Sequence, residues 1–303
     1  MALLNLIRWK NLLILVLVQV LVKYALFVPN YAVTSLSTFQ FIGLVVSTLC
    51  IAGAGYIIND IYDVETDLVN RPKKVIVGKS ISEKTANNLF MGLNIAGVLL
   101  GFYLSYAVER NSFFGIFVLI SALLYIYASY LKRTFLIGNI VVSALVGFSL
   151  LLVGIFDLLP ATNPANSPLQ LAVFKILLVY AFFACAINLL REITKDIQDV
   201  DGDYKAGMNT LPIVLGRTRA NTILFILTLI TNLLIIYVLA TFLYSKTNLI
   251  IYCLLLVVGP LIITTIKIFK AESKKDYQRI SNLLKLVMVT GMLSMAFHTT
   301  FIQ

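Results

Sequence analysis

The sequence predicts an all-α integral membrane protein on three observations: 60% of its 303 residues are hydrophobic, only 13% are charged, and apolar runs recur from end to end. Soluble domains carry about 25% charged residues, so a soluble chain is excluded. The mean hydropathy of +0.94 agrees. A hydrocarbon core of about 30 Å is crossed by about 20 apolar residues of helix. Nine runs approach that length, at 11–29, 38–58, 86–107, 112–131, 135–157, 170–190, 220–242, 248–268 and 281–301. None shows the period-2 alternation of a barrel strand, and backbone polar groups in lipid must bond within their own segment, so each run is expected to be a helix. The chain, 1–303, is expected to be a single transmembrane domain.

The first run follows Arg8 and Lys10, as the apolar part of a secretory leader does. It is too long for that part, and no small-residue cleavage site precedes Pro29, so it is read as a span. Trp9, at its entry, suits an interface anchor. With the N-terminus on the cytoplasmic side, twenty of the 24 Lys and Arg residues fall on that side, leaving Lys23, Arg110, Lys175 and Lys246 elsewhere. This asymmetry sets the expected orientation. It also accounts for the net charge of +10 as basic loops facing anionic headgroups rather than a nucleic-acid surface. Lys23 and Lys175 are expected to snorkel to headgroups and to tolerate exchange. Cys50, Cys185 and Cys253 lie far apart in predicted spans and form no CxxC pair, so they read as small packing residues. The one histidine, His298, is expected near the outer end of the last span, which excludes a histidine-built metal site.

The acids are concentrated. Of fourteen, only Glu109 and Asp157 fall on the outer side, and eight lie in two short segments, DIYDVETD from Asp60 to Asp67 and DIQDVDGD from Asp196 to Asp203. The two agree at six of eight positions when Glu65 is matched to Asp201. Their offset of 136 residues holds four predicted spans, an even number, so both segments emerge on one face of the membrane. The chain reads as two four-helix units with a ninth helix appended, around a central cavity open to the cytoplasm. On a helix, Asp60, Asp63 and Asp67 fall within an arc of about 60° while Glu65 points away by about 140°. Asp196, Asp199 and Asp203 repeat the arc, and Asp201 repeats the outlier. Gly202 leaves helical continuity in the second segment open.

Carboxylates spaced in this way repel one another, and a charge near a span end is costly to bury. A bound cation relieves both. Oxygen donors without His or Cys select a hard ion, and neither segment fits the twelve-residue Ca²⁺ loop, which points to Mg²⁺ bridging carboxylates to substrate phosphates. Cations flank the acids: Arg71 and Lys73 follow the first segment, Arg191 and Lys195 precede the second, and Lys132 and Arg133 lie in the loop after the fourth span. These are candidate donors to phosphate oxygens.

Asn59-Asp60-Ile-Tyr-Asp63-Val-Glu-Thr-Asp67, followed by Asn70-Arg71-Pro72, resembles the NDxxDxxxD signature of the UbiA superfamily of intramembrane prenyltransferases. Asp199-Val-Asp-Gly-Asp203 resembles the second, DxxxD, motif of that family. Nine spans with both motifs on cytoplasmic loops extend the resemblance over nearly the whole chain. The resemblance implies Mg²⁺ held by Asp60, Asp63, Asp67, Asp199 and Asp203 on a prenyl diphosphate, with Asp196 as a further catalytic acid. It implies substrate contacts from Asn59, Arg71, Lys132, Asn188, Arg191 and Lys195, with Asn59 alternatively a helix-end cap. One departure concerns Lys132: many members place a Tyr four residues before that Lys, whereas Ala128 stands there, with Tyr127 and Tyr130 nearby.

The stretch from Asn188 to Gly216 is similar to the branch containing digeranylgeranylglyceryl phosphate synthases and homogentisate prenyltransferases. Arg191-Glu192, Lys195-Asp196, Lys205-Ala-Gly207 and Thr210-Leu-Pro212 are the shared pieces. That likeness implies transfer of an isoprenyl group to a lipophilic acceptor in a bacterial or archaeal cell membrane, first an isoprenyl-glyceryl phosphate. The alternative keeps the chemistry with an aromatic acceptor of quinone or haem biosynthesis. A reading from another class, a membrane transporter, would suit a parallel repeat, but the acids lie at span ends and the span interiors are almost uncharged.

Overall fold

The computed structural model describes residues 1–297. Among them, nine helices are long and apolar enough to cross a membrane: Trp9–Asn30, Thr38–Tyr62, Glu83–Ala107, Asn111–Ser129, Ile137–Leu158, Ser167–Lys205, Arg217–Phe242, Thr247–Phe269 and Lys274–Phe297. They are the first to ninth spans below. Each overlaps one expected run, and the chain is an all-helical integral membrane protein. His298 and the end of the last expected run, 281–301, lie outside the described residues.

Local chemistry sets several helix ends. Ser37 accepts from the Gln40 backbone N–H while the Gln40 side chain accepts from Ser37 N–H, a capping box opening the second span. Ser273 and Asp276 do the same for the ninth. The sixth span departs most from expectation: 170–190 was the apolar run, but the helix continues through the second acidic segment to Lys205, 39 residues in all. At 1.5 Å per residue it is about 58 Å long, and Gly202 does not interrupt it. The first acidic segment is broken instead. The second span ends at Tyr62, Asp63 stands at the join, and a short helix Val64–Asn70 follows, ending where Arg71 precedes Pro72.

The chain divides into two compact units, one of Met1–Lys132 with Phe148–Leu178, the other of Arg133–Gly147 with Val179 onward. In the first unit, the third span packs along the second, where glycines permit close approach. A Cβ on Gly97 would stand 2.6 Å from Ile51 of the second span, and one on Gly101 would stand 2.3 Å from the Phe117 ring of the fourth. The Ser47 hydroxyl donates to Gly97 O at 2.7 Å. Leu6, Ile57, Val77 and Ala86 form an apolar cluster that ties the N-terminal helix Ala2–Leu6 to the end of the second span. In the second unit, Ile193, Ile197, Leu211, Ala220, Leu261, Ile268 and Tyr277 belong to one buried core that holds the C-terminal end of the sixth span against the last three.

The expectation for Lys23 is overturned. It is buried, its Nζ lies 2.8 Å from Asp157 Oδ2 and donates to Leu36 O at 2.8 Å, and Asp157 Oδ1 accepts from Leu36 N–H. With both heads taken out of water, each needs its opposite charge and the Leu36 backbone groups, because a buried charge left unmatched is costly. Both residues sit in π-helical turns, Val22–Phe27 and Gly154–Leu158, the wide turns that often accompany specialised side chains. Lys175, by contrast, is exposed.

Candidate active site

The first acidic segment is cross-linked by side chains from three parts of the first unit. Asp63, 5% exposed, accepts on Oδ2 from Asn59 Nδ2 at 2.6 Å and from Lys132 Nζ. Asn59 and Asp63 are four residues apart, so one turn of helix brings them together. Lys132 reaches them from the turn Leu131–Arg133 that follows the fourth span. Asn59 therefore acts on a carboxylate with its side chain. Asp60 Oδ1 accepts from Arg8 at 2.7 Å, and the Arg8 guanidinium lies 5.0 Å from the centre of the Tyr56 ring. Burial opposes the charge on Arg8, but Asp60, Tyr56 and Asp63 together hold its guanidinium above the ordinary value. Asp67 is half-buried on the short helix. Burial first, then the neighbouring Asp63 carboxylate, pushes its carboxyl above the usual range, partly offset by Lys132 and Arg71.

In the second unit, the sixth span carries Asn188, Arg191, Lys195, Asp196, Asp199 and Asp203 on one continuous helix. Asp196 Oδ2 accepts from Asn139 Nδ2 at 2.7 Å, and Asn188 Nδ2 donates to the Ser143 hydroxyl at 3.2 Å. Lys195 lies 2.6 Å from Glu192 Oε1, and Arg191 Nη1 lies 3.7 Å from the same atom. Arg191 Nε is buried with no hydrogen-bond partner, which suits an anionic ligand there. Asp203 is buried and Asp199 half-buried. Asp201 is exposed and paired with Lys274 at 2.7 Å, while Glu65 is also exposed.

Among the described residues, no three Asp, Glu, His or Cys side chains gather closely enough to hold a metal ion unaided. The carboxylates of each segment, taken by themselves, still suit Mg²⁺, which commonly takes one or two carboxylates and completes its shell with water and substrate phosphates. The oxygens of Asp60, Asp63, Asp67, Asp199 and Asp203 are hard donors of that kind.

Three contacts were not foreseen from the sequence. Arg8 reads as one of many basic loop residues, and nothing in its neighbours marks it as the partner of Asp60. Asn139 and Ser143 are single polar residues in the apolar run 135–157. A lone amide inside a span was the available signal for Asn139.

The profile of the UbiA prenyltransferase family matches residues 12–289. The chain is 31% identical over 246 residues to the digeranylgeranylglyceryl phosphate synthase of Korarchaeum cryptofilum, covering 80% of this chain and 79% of that protein. Among solved structures, a digeranylgeranylglyceryl phosphate synthase in membranes superposes with a TM-score of 0.62 at 23% identity, over 97% of this chain and 98% of that one. A UbiA homolog from Archaeoglobus fulgidus, bound to DMAPP and Mg²⁺, superposes with a TM-score of 0.58 at 17% identity, over 98% and 99%. The family match spans both acidic motifs and every helix that carries them, and so this chain belongs to the UbiA prenyltransferase family.

Proposed function

We propose that this membrane prenyltransferase moves an isoprenyl group from a prenyl diphosphate to the hydroxyl of an isoprenyl-glyceryl phosphate, with Mg²⁺, at the cytoplasmic face. The observation that carries the reading is the duplicated acidic motif with a cation or amide set on its carboxylates: Lys132 and Asn59 on Asp63, Arg8 on Asp60, Asn139 on Asp196. The archaeal synthase similar to this chain favours the glyceryl phosphate acceptor over an aromatic one, and the basic loops favour the cytoplasmic side.

Asp60, Asp63, Asp67, Asp199 and Asp203 are assigned to Mg²⁺. When bound, the ion supplies Lewis acidity to the leaving diphosphate as the allylic C–O bond breaks. The chain's own residues do the rest. Asn59 and Lys132 hold Asp63 in one rotamer, so its carboxylate is set before substrate arrives. Arg71, Lys132, Arg191 and Lys195 are assigned to phosphate oxygens; the unmatched Nε of Arg191 supports that role. Lys195 now rests on Glu192 and exchanges one anion for another when it engages phosphate. Asn188 is assigned to orienting the substrate from the same helix, one turn before Arg191. The apolar spans match the isoprenoid tail in polarity, and the acceptor oxygen bonds the allylic carbon as its bond to the departing diphosphate breaks, the hydroxyl proton passing to water.

The test uses purified protein in detergent with Mg²⁺ and a labelled prenyl diphosphate. Isoprenyl-glyceryl phosphate and aromatic acceptors are offered in separate reactions, and products are identified by mass spectrometry. A prenylated glyceryl phosphate is expected. Product from the aromatic acceptor alone would transfer the reading to quinone or haem chemistry, and no ionisation of the prenyl diphosphate with any acceptor would end it.

A further inference from the structure

Arg8 lies outside both acidic motifs, yet its side chain meets the first of them. Three features hold it there. The backbone at Arg8 is left-handed, φ 51° and ψ 50°, which turns the chain sharply between the helix Ala2–Leu6 and the first span. Leu6, two residues upstream, is fully buried in a cluster with Ile57, Val77 and Ala86, so the turn is anchored in part on the second span. The guanidinium then sits over Tyr56 and bonds to Asp60, residues one turn apart on that span. A non-glycine residue in the left-handed region is strained, and such strain persists where the surroundings over-determine it.

The bond to Asp60 uses Oδ1 at 2.7 Å, which leaves the other carboxylate oxygen for a further partner. Carboxylates that ligate metals are themselves hydrogen-bonded, and those outer partners set ligand orientation. From this geometry we infer that Arg8 is a positioning residue for the metal-binding carboxylate of Asp60, delivered to the site by the N-terminal turn. The inference rests on the reading of Asp60 as a magnesium ligand. A basic residue that served only as an orientation signal for membrane insertion would need neither the ring beneath it nor the bond to Asp60.

The experiment compares wild type, Arg8→Gln and Arg8→Lys, each purified in detergent. Mn²⁺ binding is followed by electron paramagnetic resonance as a probe of the magnesium site, and prenyl transfer is assayed against Mg²⁺ concentration. Arg8→Gln is expected to weaken Mn²⁺ binding and to raise the half-activating Mg²⁺ concentration about tenfold, in line with the loss of an outer partner of a metal ligand. Arg8→Lys, which restores the charge without the planar fork, is expected to recover part of that loss. A loss of fold alone would lower thermal stability in both variants without moving Mg²⁺ dependence, and that result overturns the inference. Unchanged or tighter Mn²⁺ binding in Arg8→Gln overturns it as well, the latter making Arg8 a competitor of the metal. If wild type itself binds no Mn²⁺ and transfers no prenyl group, the underlying reading of the site has failed. If wild type does both and Arg8→Gln matches it, only the role of Arg8 is wrong.

Discussion

Lys23 Nζ lies 2.8 Å from Asp157 Oδ2, with both side chains buried inside the first unit. The pair also ties down the backbone at Leu36, since Lys23 donates to its carbonyl and Asp157 accepts from its N–H. Removing one partner leaves a buried charge unmatched, at a cost of about 3 kcal/mol or more. Lys23→Met and Asp157→Asn are each expected to lower the melting temperature in detergent. The double variant Lys23→Met/Asp157→Asn should lose clearly less than the sum of the two. Additive losses would show that the two side chains do not stabilise one another.

Asp63→Asn and Asp199→Asn are expected to abolish turnover while leaving expression near normal, because each is assigned to the metal rather than to packing. Lys132→Met should reduce turnover by about a hundredfold, equivalent to about 2.7 kcal/mol of transition-state stabilisation, with Lys132→Arg intermediate. Steady-state rates with each variant at saturating Mg²⁺ check this. Most of the activity surviving in any of the aspartate variants would remove that residue from the site.

Asn139→Leu deletes the bond to Asp196 while keeping an apolar span apolar. A hydrogen bond to a charged group contributes about 1.5–3 kcal/mol, so kcat/KM is expected to fall at least about tenfold. Thermal melts alongside the kinetics separate a catalytic loss from an unfolding one.

Metal dependence carries a pH signature. The Asp67 carboxyl is held above its ordinary range, chiefly by burial and then by Asp63. It keeps its proton to a higher pH than a free aspartate, and a cation must displace that proton to bind. Metal affinity is therefore expected to fall as pH is lowered through the raised value and to level off above it. Mn²⁺ titrations across the acidic range provide the check, and a flat profile contradicts the assignment of Asp67. Chelation with EDTA should stop turnover, and added Mg²⁺ should restore it.

Close helix approach in the second unit depends on Gly147, where an added Cβ would stand 2.6 Å from Ala181 O. Gly147→Ala is expected to destabilise by about 1–3 kcal/mol, as overpacking does. Gly92→Ala, whose Cβ would meet nothing within 4 Å, serves as the control and should be neutral or mildly stabilising. Equal melting temperatures for the two variants would contradict the packing assigned to Gly147.

Residue order alone determined the nine spans, the two acidic motifs and the hard-donor character of the site. Each depends on local composition and spacing, which a helix converts directly into length and angular position. It also left a helix break at Asp63 undetected and underestimated the sixth span, because helix propensity across a polar segment is too weak to mark where lipid ends and the helix continues. Only the tertiary structure decided which cation or amide meets which carboxylate. Arg8 and Asp60 are 52 residues apart, Asn139 and Asp196 57, and Lys132 and Asp63 69. Pairing over such separations is set by how helices pack and by where a left-handed turn aims the chain. For the same reason Lys23, which a linear reading sends to the headgroups, is buried against Asp157.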